Sequence, residues 1–591
     1  MKNINPEGSE KVENKTGQGN EPESSPRSFS RTLIIFIAFF LVNEFLIIKP
    51  LRKKLVEKQK EQENSELVVA DETNDGDDSD TNNVAPEYVN LENDYIKLVI
   101  NTKGLLLDNL TLKKYTENNE NIKLLELENS IINIGWLPSG DGLKIPNKNS
   151  IWTRVEQDNS NEDGRKIVFS YDNGEHVVFK IILSLDDKYM INVEQIVKNE
   201  TENRLSLKPL WQIEKKNHVI KNRNEMFSFN GGIGVFDDKI YEIKAKKVKN
   251  NNVEFLNFSW AGITEKYWLM AIVNKNLDNG QVNFIGKNNK MVLQYTTKKN
   301  REIAGKSTES TGGSLFVGAK DSSILKYYVK NNNIKLLDRS IDFGVFHFLA
   351  RPMNALLNLL YKITKNFGLA IILLTIIIKA ILYPMVKKSF ITMNIMKEIQ
   401  PKIRELQIIY SDDNVRLHHE LVKLYGKYQL NPFASLLPIF IQIPVFLSLY
   451  KVISVSLNMR QAPFFWFIKD LSANDPSNTL NLFGLLPFNP NFKLGILPCV
   501  MAITMYLQQK SSENMMEQPT PPDVTSKNGI KIHGKDLAAT NKKLTRFMPL
   551  LFMFMFSSFP SGLLLYWILN NIITIFQQYH ISNICYKSKK F

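Results

Sequence analysis

The stretch GLAIILLTIIIKAILYP, Gly368 to Pro384, decides the class of fold. A helix rises about 1.5 Å per residue, so the apolar run of about nineteen residues ending at Val386 just crosses a hydrocarbon core about 30 Å thick. Lys379 falls somewhat past its middle. A central lysine costs about 2.5 to 3.5 kcal/mol on insertion scales, and the roughly eleven Ile, Leu and Val residues around it return about 0.3 to 0.6 each, so the helix still inserts. The cation has three readings: it snorkels along its stem to the nearer interface, it pairs with a neighbouring helix for structural reasons, or it marks a hydrated functional site.

The rest of the 591-residue chain is not all of this kind. A mean hydropathy of -0.20 is too polar for a chain lying wholly in lipid, so part of it is water-soluble. The formal net charge is +14, with much of the Lys and Arg excess beside apolar spans, as in cytoplasmic loops. A lipid bilayer, and no specific nucleic acid, is therefore the expected partner of that charge. Two cysteines, Cys499 within an apolar span and Cys585 near the C-terminus, provide neither a disulfide framework nor zinc-ligand spacing.

Working outward, residues 1–30 are polar and rich in Gly, Ser, Pro and Glu, a disordered cytoplasmic N-terminus. TLIIFIAFFLVNEFLII follows, and KPLRKKLVEKQ after it has no small-residue cleavage site, so residues 31–49 are predicted to be an uncleaved first transmembrane helix. Residues 50–87, with the acidic DETNDGDDSD, are a solvated linker. From there short runs such as YIKLVI, KIVFSY, HVVFKIILSL and YMINVEQIV alternate with Asn, Asp and Gly turns, which predicts an all-β sandwich over 88–335. Its histidines, His176 and His218, sit in ordinary surroundings, so the expected role is scaffolding or partner binding rather than catalysis.

Residues 338–366 have helical spacing, are too polar to span and contain Pro352, which is expected to divide an amphipathic interfacial helix. The second transmembrane helix is placed at 367–388, ahead of a cytoplasmic helical hairpin at 389–430 that breaks at YSDDN, Tyr410 to Asn414. His418, His419 and Glu420 point to different helix faces, so no metal site is expected there. Further spans fall at 431–456 and 494–510, separated by a loop at 457–493 that is poor in basic residues and contains PFFWF. Loop 511–545 is Lys-rich. The last apolar region carries FPSG at its centre and basic residues at both ends, which predicts two short spans, 546–559 and 561–580, before a basic tail at 581–591. Putting basic loops in the cytoplasm places both termini inside and the β-domain outside.

Polar groups recur within these spans: Thr375 one turn before Lys379, Gln442 between Pro438 and Pro444, then Tyr566, Asn570 and Asn571. Lipid-facing polar groups are costly, so the economical arrangement turns several toward one hydrated cavity. Bland readings stand beside it: Gln442 as a helix bridge, Tyr566 as an interfacial aromatic, the prolines as kinks. No catalytic dyad, nucleophile motif, phosphate loop or metal cluster appears, so no enzyme activity, cofactor or metal is expected.

Several blocks, in order, carry a family likeness: NFGLAIILLTIIIKAILYP, MNIMKEIQPKI, YGKYQLNPFASLLPIFIQIPVFLSLY, RQAPFFWFIKDLSANDP and FMPLLFMFMFSSFPSGLLLYWILNNIITIFQQ, with INTKG and FVGAK as weaker matches. With this arrangement of parts the chain resembles the YidC membrane protein insertases over nearly its whole length. The resemblance implies an α-helical polytopic inner-membrane protein with six transmembrane helices, a five-helix core and an all-β periplasmic sandwich. It implies insertion of nascent membrane proteins without nucleotide hydrolysis, alone or beside the Sec translocon, through a groove open to cytoplasm and lipid and closed outside. Lys379 then falls where relatives usually have arginine, Thr375 and Gln442 line the groove, and Tyr566 and Trp567 sit where substrate helices slide past. Lysine keeps the charge but loses the planar fork for a carboxylate. A ribosome contact through the hairpin and basic tail is also implied, and the shortness of the tail weakens it.

Two rivals make other demands. A secondary transporter or channel would use Lys379 as a substrate or proton site, but the halves show no internal repeat. An assembly factor would need its outer domain for every function.

Overall fold

The computed structural model describes residues 87–588 except 139–142, 156–164, 217–228, 249–251, 276, 278–279, 288, 432–436, 466, 481–493, 516–523, 526–530 and 533–545. The expected first span at 31–49, its flanks, most of loop 511–545 and the last residues of the tail lie outside these.

Period-two burial builds a sandwich from residue 88 onward. In Val177–Leu185 the side chains of Val177, Phe179, Ile181, Leu183 and Leu185 are buried and those between are not, as one face of a strand requires. One antiparallel sheet runs, in spatial order, Tyr88–Glu92, Ile96–Asn101, Asn109–Glu117, Glu120–Glu126, Ser130–Pro138, Leu205–Lys216, Lys290–Thr297, Gly280–Lys287 and Asn252–Leu256, with Arg301–Ile303 also on Leu205–Lys216. The other runs Lys239–Lys244, Gly231–Phe236, Phe258–Thr264, Trp268–Val273, Ser307–Ala319, Met190–Asn199, Val177–Leu185, Lys166–Asp172 and Thr153–Arg154. Trp211 is fully buried between them. Its Nε1 donates to Gln195 Oε1 at 2.6 Å, and Gln195 Nε2 donates to the Gly135 carbonyl at 2.7 Å, so one amide from the second sheet bridges two strands of the first.

Helices follow. Ser322–Asn331 (α1) is capped by Asp321, whose carboxylate accepts from Ser323 N and Ile324 N, and the sequence reading had no helix there. After it come His347–Thr364 (α2), Phe367–Ile409 (α3), Asn414–Lys427 (α4), Leu437–Val455 (α5), Ile496–Met515 (α6), Arg546–Phe556 (α7) and Ser561–Ser588 (α8). Pro352 does not divide α2. It lies in the second turn of a continuous helix, where the missing N–H removes one bond near the start. Helix α3 does not stop at 388 but runs unbroken into the first arm of the hairpin. Lys387 and Lys388 change the polarity of the segment without offering a helix stop, and the backbone keeps its own hydrogen bonds. The break comes at Tyr410–Asp413, and Asp413 caps α4 by accepting from Arg416 N. Likewise α8 continues past 580 to Ser588. Helix α8 packs on α3 and α6, and α2 on α3 and α5.

Polar contacts seat the sandwich on the helices. Asp342, ahead of α2, accepts from Lys451 Nζ of α5 at 2.6 Å and from the backbone N of Phe229 and Gly344. Tyr267 Oη donates to the Ser454 carbonyl of α5, and Gln461 Nε2 donates to the Thr116 carbonyl. Beside this joint Lys320 is buried, its Nζ donating to Thr264 Oγ1 at 2.9 Å and the Ser340 carbonyl at 3.4 Å. Burial lowers its pKa to about 7, against the pull of Asp342, Glu265 and Glu242 and together with the push of Lys451.

In an unfolded chain this lysine titrates near 10.4, so above about pH 7 the unfolded state binds more protons than the folded one. Stability from this site therefore rises with pH. Moving from pH 7 to pH 9 is expected to stabilise the sandwich of the wild type over that of Lys320→Met by on the order of 1 to 2 kcal/mol. Urea midpoints of proteolytic susceptibility at the two pH values check it; equal gains in both proteins would contradict it.

Candidate functional site

Helix α3 is the described helix long and apolar enough to cross a membrane, over Phe367–Met396, with shorter apolar helical stretches at Phe440–Val455 and Arg546–Phe556. Its exposed face carries Ile376 and Ile381. Lys379, one turn from Ile376, is turned against α8, with 9% of its surface exposed. Its Nζ donates to Thr574 Oγ1 at 2.8 Å, and Thr574 Oγ1 donates in turn to the Asn570 carbonyl at 2.6 Å. Gln577 Nε2, one turn on, reaches the Lys379 carbonyl at 3.4 Å. No carboxylate bonds to Nζ among the described residues.

An ammonium group has three donors, and Thr574 takes one. On the same stretch of α8, Asn570 Oδ1 and Gln577 Oε1 are buried acceptors without a partner among the described residues. The contact between α3 and α8 thus leaves spare donors and spare acceptors on the two helices, which suits water or a polar segment of another chain.

The other residues singled out from sequence fall as follows. Thr375 is fully buried, and its hydroxyl donates to the Ile371 carbonyl of its own helix at 2.7 Å, so it contributes a small side chain at this level and no free hydroxyl proton. Gln442 Nε2 on α5 donates to Tyr566 Oη on α8 at 2.8 Å. Trp567 packs edge-on against Phe446 of α5, with ring centroids 4.8 Å apart, and against Phe556 of α7 at 5.0 Å. The structure therefore brings Gln442, Tyr566 and Trp567 together where α5 meets α8. Lys379 joins Thr574 where α3 meets α8, about 12 Å further along the α8 axis at eight residues' separation.

Asn571 faces a third helix, its Nδ2 donating to Thr504 Oγ1 of α6 at 3.2 Å. Sequence reasoning missed Thr574, Gln577 and Gln578. The signal was present: Tyr566, Asn570, Thr574 and Gln578 recur every fourth residue, a polar stripe along one face of the helix. Thr504 gave none, being one hydroxyl in an apolar run.

Removing the Tyr566 hydroxyl leaves Gln442 Nε2 without this partner. A double-mutant cycle of Gln442→Leu and Tyr566→Phe is expected to give a coupling of about 0.6 kcal/mol, and not above about 1.7, the range for side-chain hydrogen bonds between helices in membranes. Denaturation in mixed micelles measures it, and zero coupling would mean the contact does not form there.

A family model described as 60Kd inner membrane protein matches residues 359–589, and one described as YidC periplasmic domain matches residues 88–356. The membrane protein insertase YidC of Rickettsia conorii is 35% identical over 516 residues, covering 84% of this chain and 87% of its own. That of Rickettsia bellii is 36% identical over 501 residues, covering 82% and 85%. Among solved structures, an active YidC insertase crystal structure with the first transmembrane domain resolved covers 83% of this chain and 92% of its own at 16% identity, with a TM-score of 0.32.

Proposed function

Because this chain belongs to the YidC family of membrane protein insertases, we propose that its insertion of nascent membrane proteins runs through the pocket at Lys379. The function is insertion and not an enzymatic reaction, and the β-sandwich is the periplasmic domain of an inner-membrane protein.

In this proposal six spans cross the bilayer, both termini are cytoplasmic, and α3, α5, α6, α7 and α8 form the core. The observation that carries it is the Lys379 ammonium group, held against Thr574 in a helix long and apolar enough to cross a membrane, with no carboxylate bonded to it among the described residues. A buried cation left unneutralised by its own protein keeps water and polar groups close. A client's hydrophilic tail then crosses a shorter apolar barrier while its apolar helix leaves sideways into lipid. Thr375 and Gln442 line this groove, and Tyr566 and Trp567 border the passing helix. The membrane potential adds roughly 2.3 kcal/mol per charge per 100 mV for a full crossing, favouring outward movement of acidic tails and opposing basic ones. The Sec translocon and, through the α3–α4 hairpin, the ribosome are the proposed partners.

Hydration of the pocket from the cytosol is the testable core of this. In Asn570→Cys protein that keeps Lys379, with Cys499 and Cys585 replaced by serine, a membrane-impermeant thiol reagent is expected to label position 570 from the cytosolic face only. Labelling from the periplasmic face, or from neither, would overturn the proposal.

A further inference from the structure

Helices α6 and α8 are tied to each other at three heights. At their N-termini one segment, 471–477, closes both. Asp475 Oδ2 accepts from Leu497 N at 2.7 Å and Ser477 Oγ accepts from Ile496 N at 2.8 Å, which caps α6. The carbonyls of Ala473 and Leu471 accept from Ser561 N at 2.7 Å and Gly562 N at 2.9 Å, which takes up the first donors of α8. Asp475 and Ser561 are both buried, and a side chain at Gly495 would collide with the Asp475 carboxylate, so that glycine permits the close approach. Further along, Asn571 Nδ2 donates to Thr504 Oγ1, and beyond it Gln578 Nε2 donates to Ser512 Oγ at 2.8 Å. Positions 571 and 578 are about two turns apart on α8, and 504 and 512 about two turns apart on α6, so both bonds lie in one seam.

Helix α3 is also bonded to α8, through Lys379–Thr574 and Gln577, and the wall joined differently is that of α5. Helix α5 meets the α7–α8 pair through Gln442–Tyr566 and through rings: Phe446 on Trp567 and Phe556, and Tyr450 on Phe559. Ring contacts of this kind slide and re-form in an apolar medium at little cost, whereas each amide–hydroxyl bond broken in lipid strands a donor with no water to replace its partner.

We infer that α6 and α8 move as one body during insertion, with Asp475, Asn571 and Gln578 as positioning residues, and that the groove widens by displacement of α5 against that body. The widening rests on the groove proposed above; the shared motion of α6 and α8 does not.

Reversible locking tests it in the full-length chain carrying Cys499→Ser and Cys585→Ser. Cysteine pairs at Thr504 with Asn571, at Ser512 with Gln578, and at Tyr450 with Phe559 are bridged by a short bis-methanethiosulfonate. Insertion of a client is then compared in the same sample before bridging, after bridging and after reduction. The two α6–α8 bridges are expected to leave insertion within twofold, and the α5 bridge to lower it at least fivefold with recovery on reduction. A fivefold, reducible loss from either α6–α8 bridge would overturn the inference. If none of the bridges matters, the single body stands and the widening of the groove falls.

Discussion

Lys379→Ala is expected to lower insertion of a client with a short acidic translocated tail at least tenfold, a loss of about 1.4 kcal/mol or more from the step that carries the tail past mid-membrane. The substitution removes the ammonium group, leaves Thr574 Oγ1 without its donor, and lines that level of α3 with alkyl groups alone. A segment entering there would be stripped of water with nothing in exchange. Lys379→Arg keeps a cation at the same height, within reach of Thr574, and is expected to restore insertion to within twofold. Lys379→Gln separates charge from hydration. Rescue of acidic and neutral tails alike by glutamine would assign the pocket's work to water, and rescue of neutral tails alone would assign the remainder to charge. Insertion rates in cells depleted of the native insertase give the answer. Equal rates for Ala, Arg and wild type would remove Lys379 from the mechanism.

The second large effect lies in the sandwich. Trp211→Ala empties a fully buried site between the sheets and strips Gln195 Oε1 of its partner, and a buried Trp→Ala change of this kind costs about 3 to 5 kcal/mol. The domain is expected to become protease-sensitive at correspondingly lower urea concentration in the full-length protein. Insertion is expected to fall less than threefold, because Lys379 and the Thr574 hydroxyl it bonds lie on α3 and α8, outside the sandwich. If insertion fell in step with the unfolding of the domain, the sandwich would be an assembly platform that every client requires.

The parts of this molecule that sequence exposes are those governed by local rules. Alternating burial in Val177–Leu185 follows from the two-residue repeat of a strand, and the capping side chains of the YSDDN segment mark the end of α3 because they compete with its backbone. What local rules do not reach is pairing across the chain. Nothing near Lys379 names Thr574, 195 positions away, and nothing near Trp211 marks Gln195 as the amide that bridges the sheets. The unbroken length of α3 has a different cause. Membrane edges are marked by charge, as at Lys387 and Lys388, but helices end only where caps or breakers stand, so the two boundaries need not coincide. At Pro352 the expectation of a break gave a breaker more weight than its place near a helix start allows.

Contact between a client and the pocket is measured most directly by photocrosslinking from single positions to a stalled nascent membrane protein. Probes at Thr375, Tyr566 and Trp567 are expected to capture the nascent chain, and probes at Ile381 and Phe576, which stand 69% exposed on the outer faces of α3 and α8, are expected to capture lipid. Capture from Ile381 and Phe576 with none from Thr375, Tyr566 or Trp567 would mean that clients do not pass by the proposed groove.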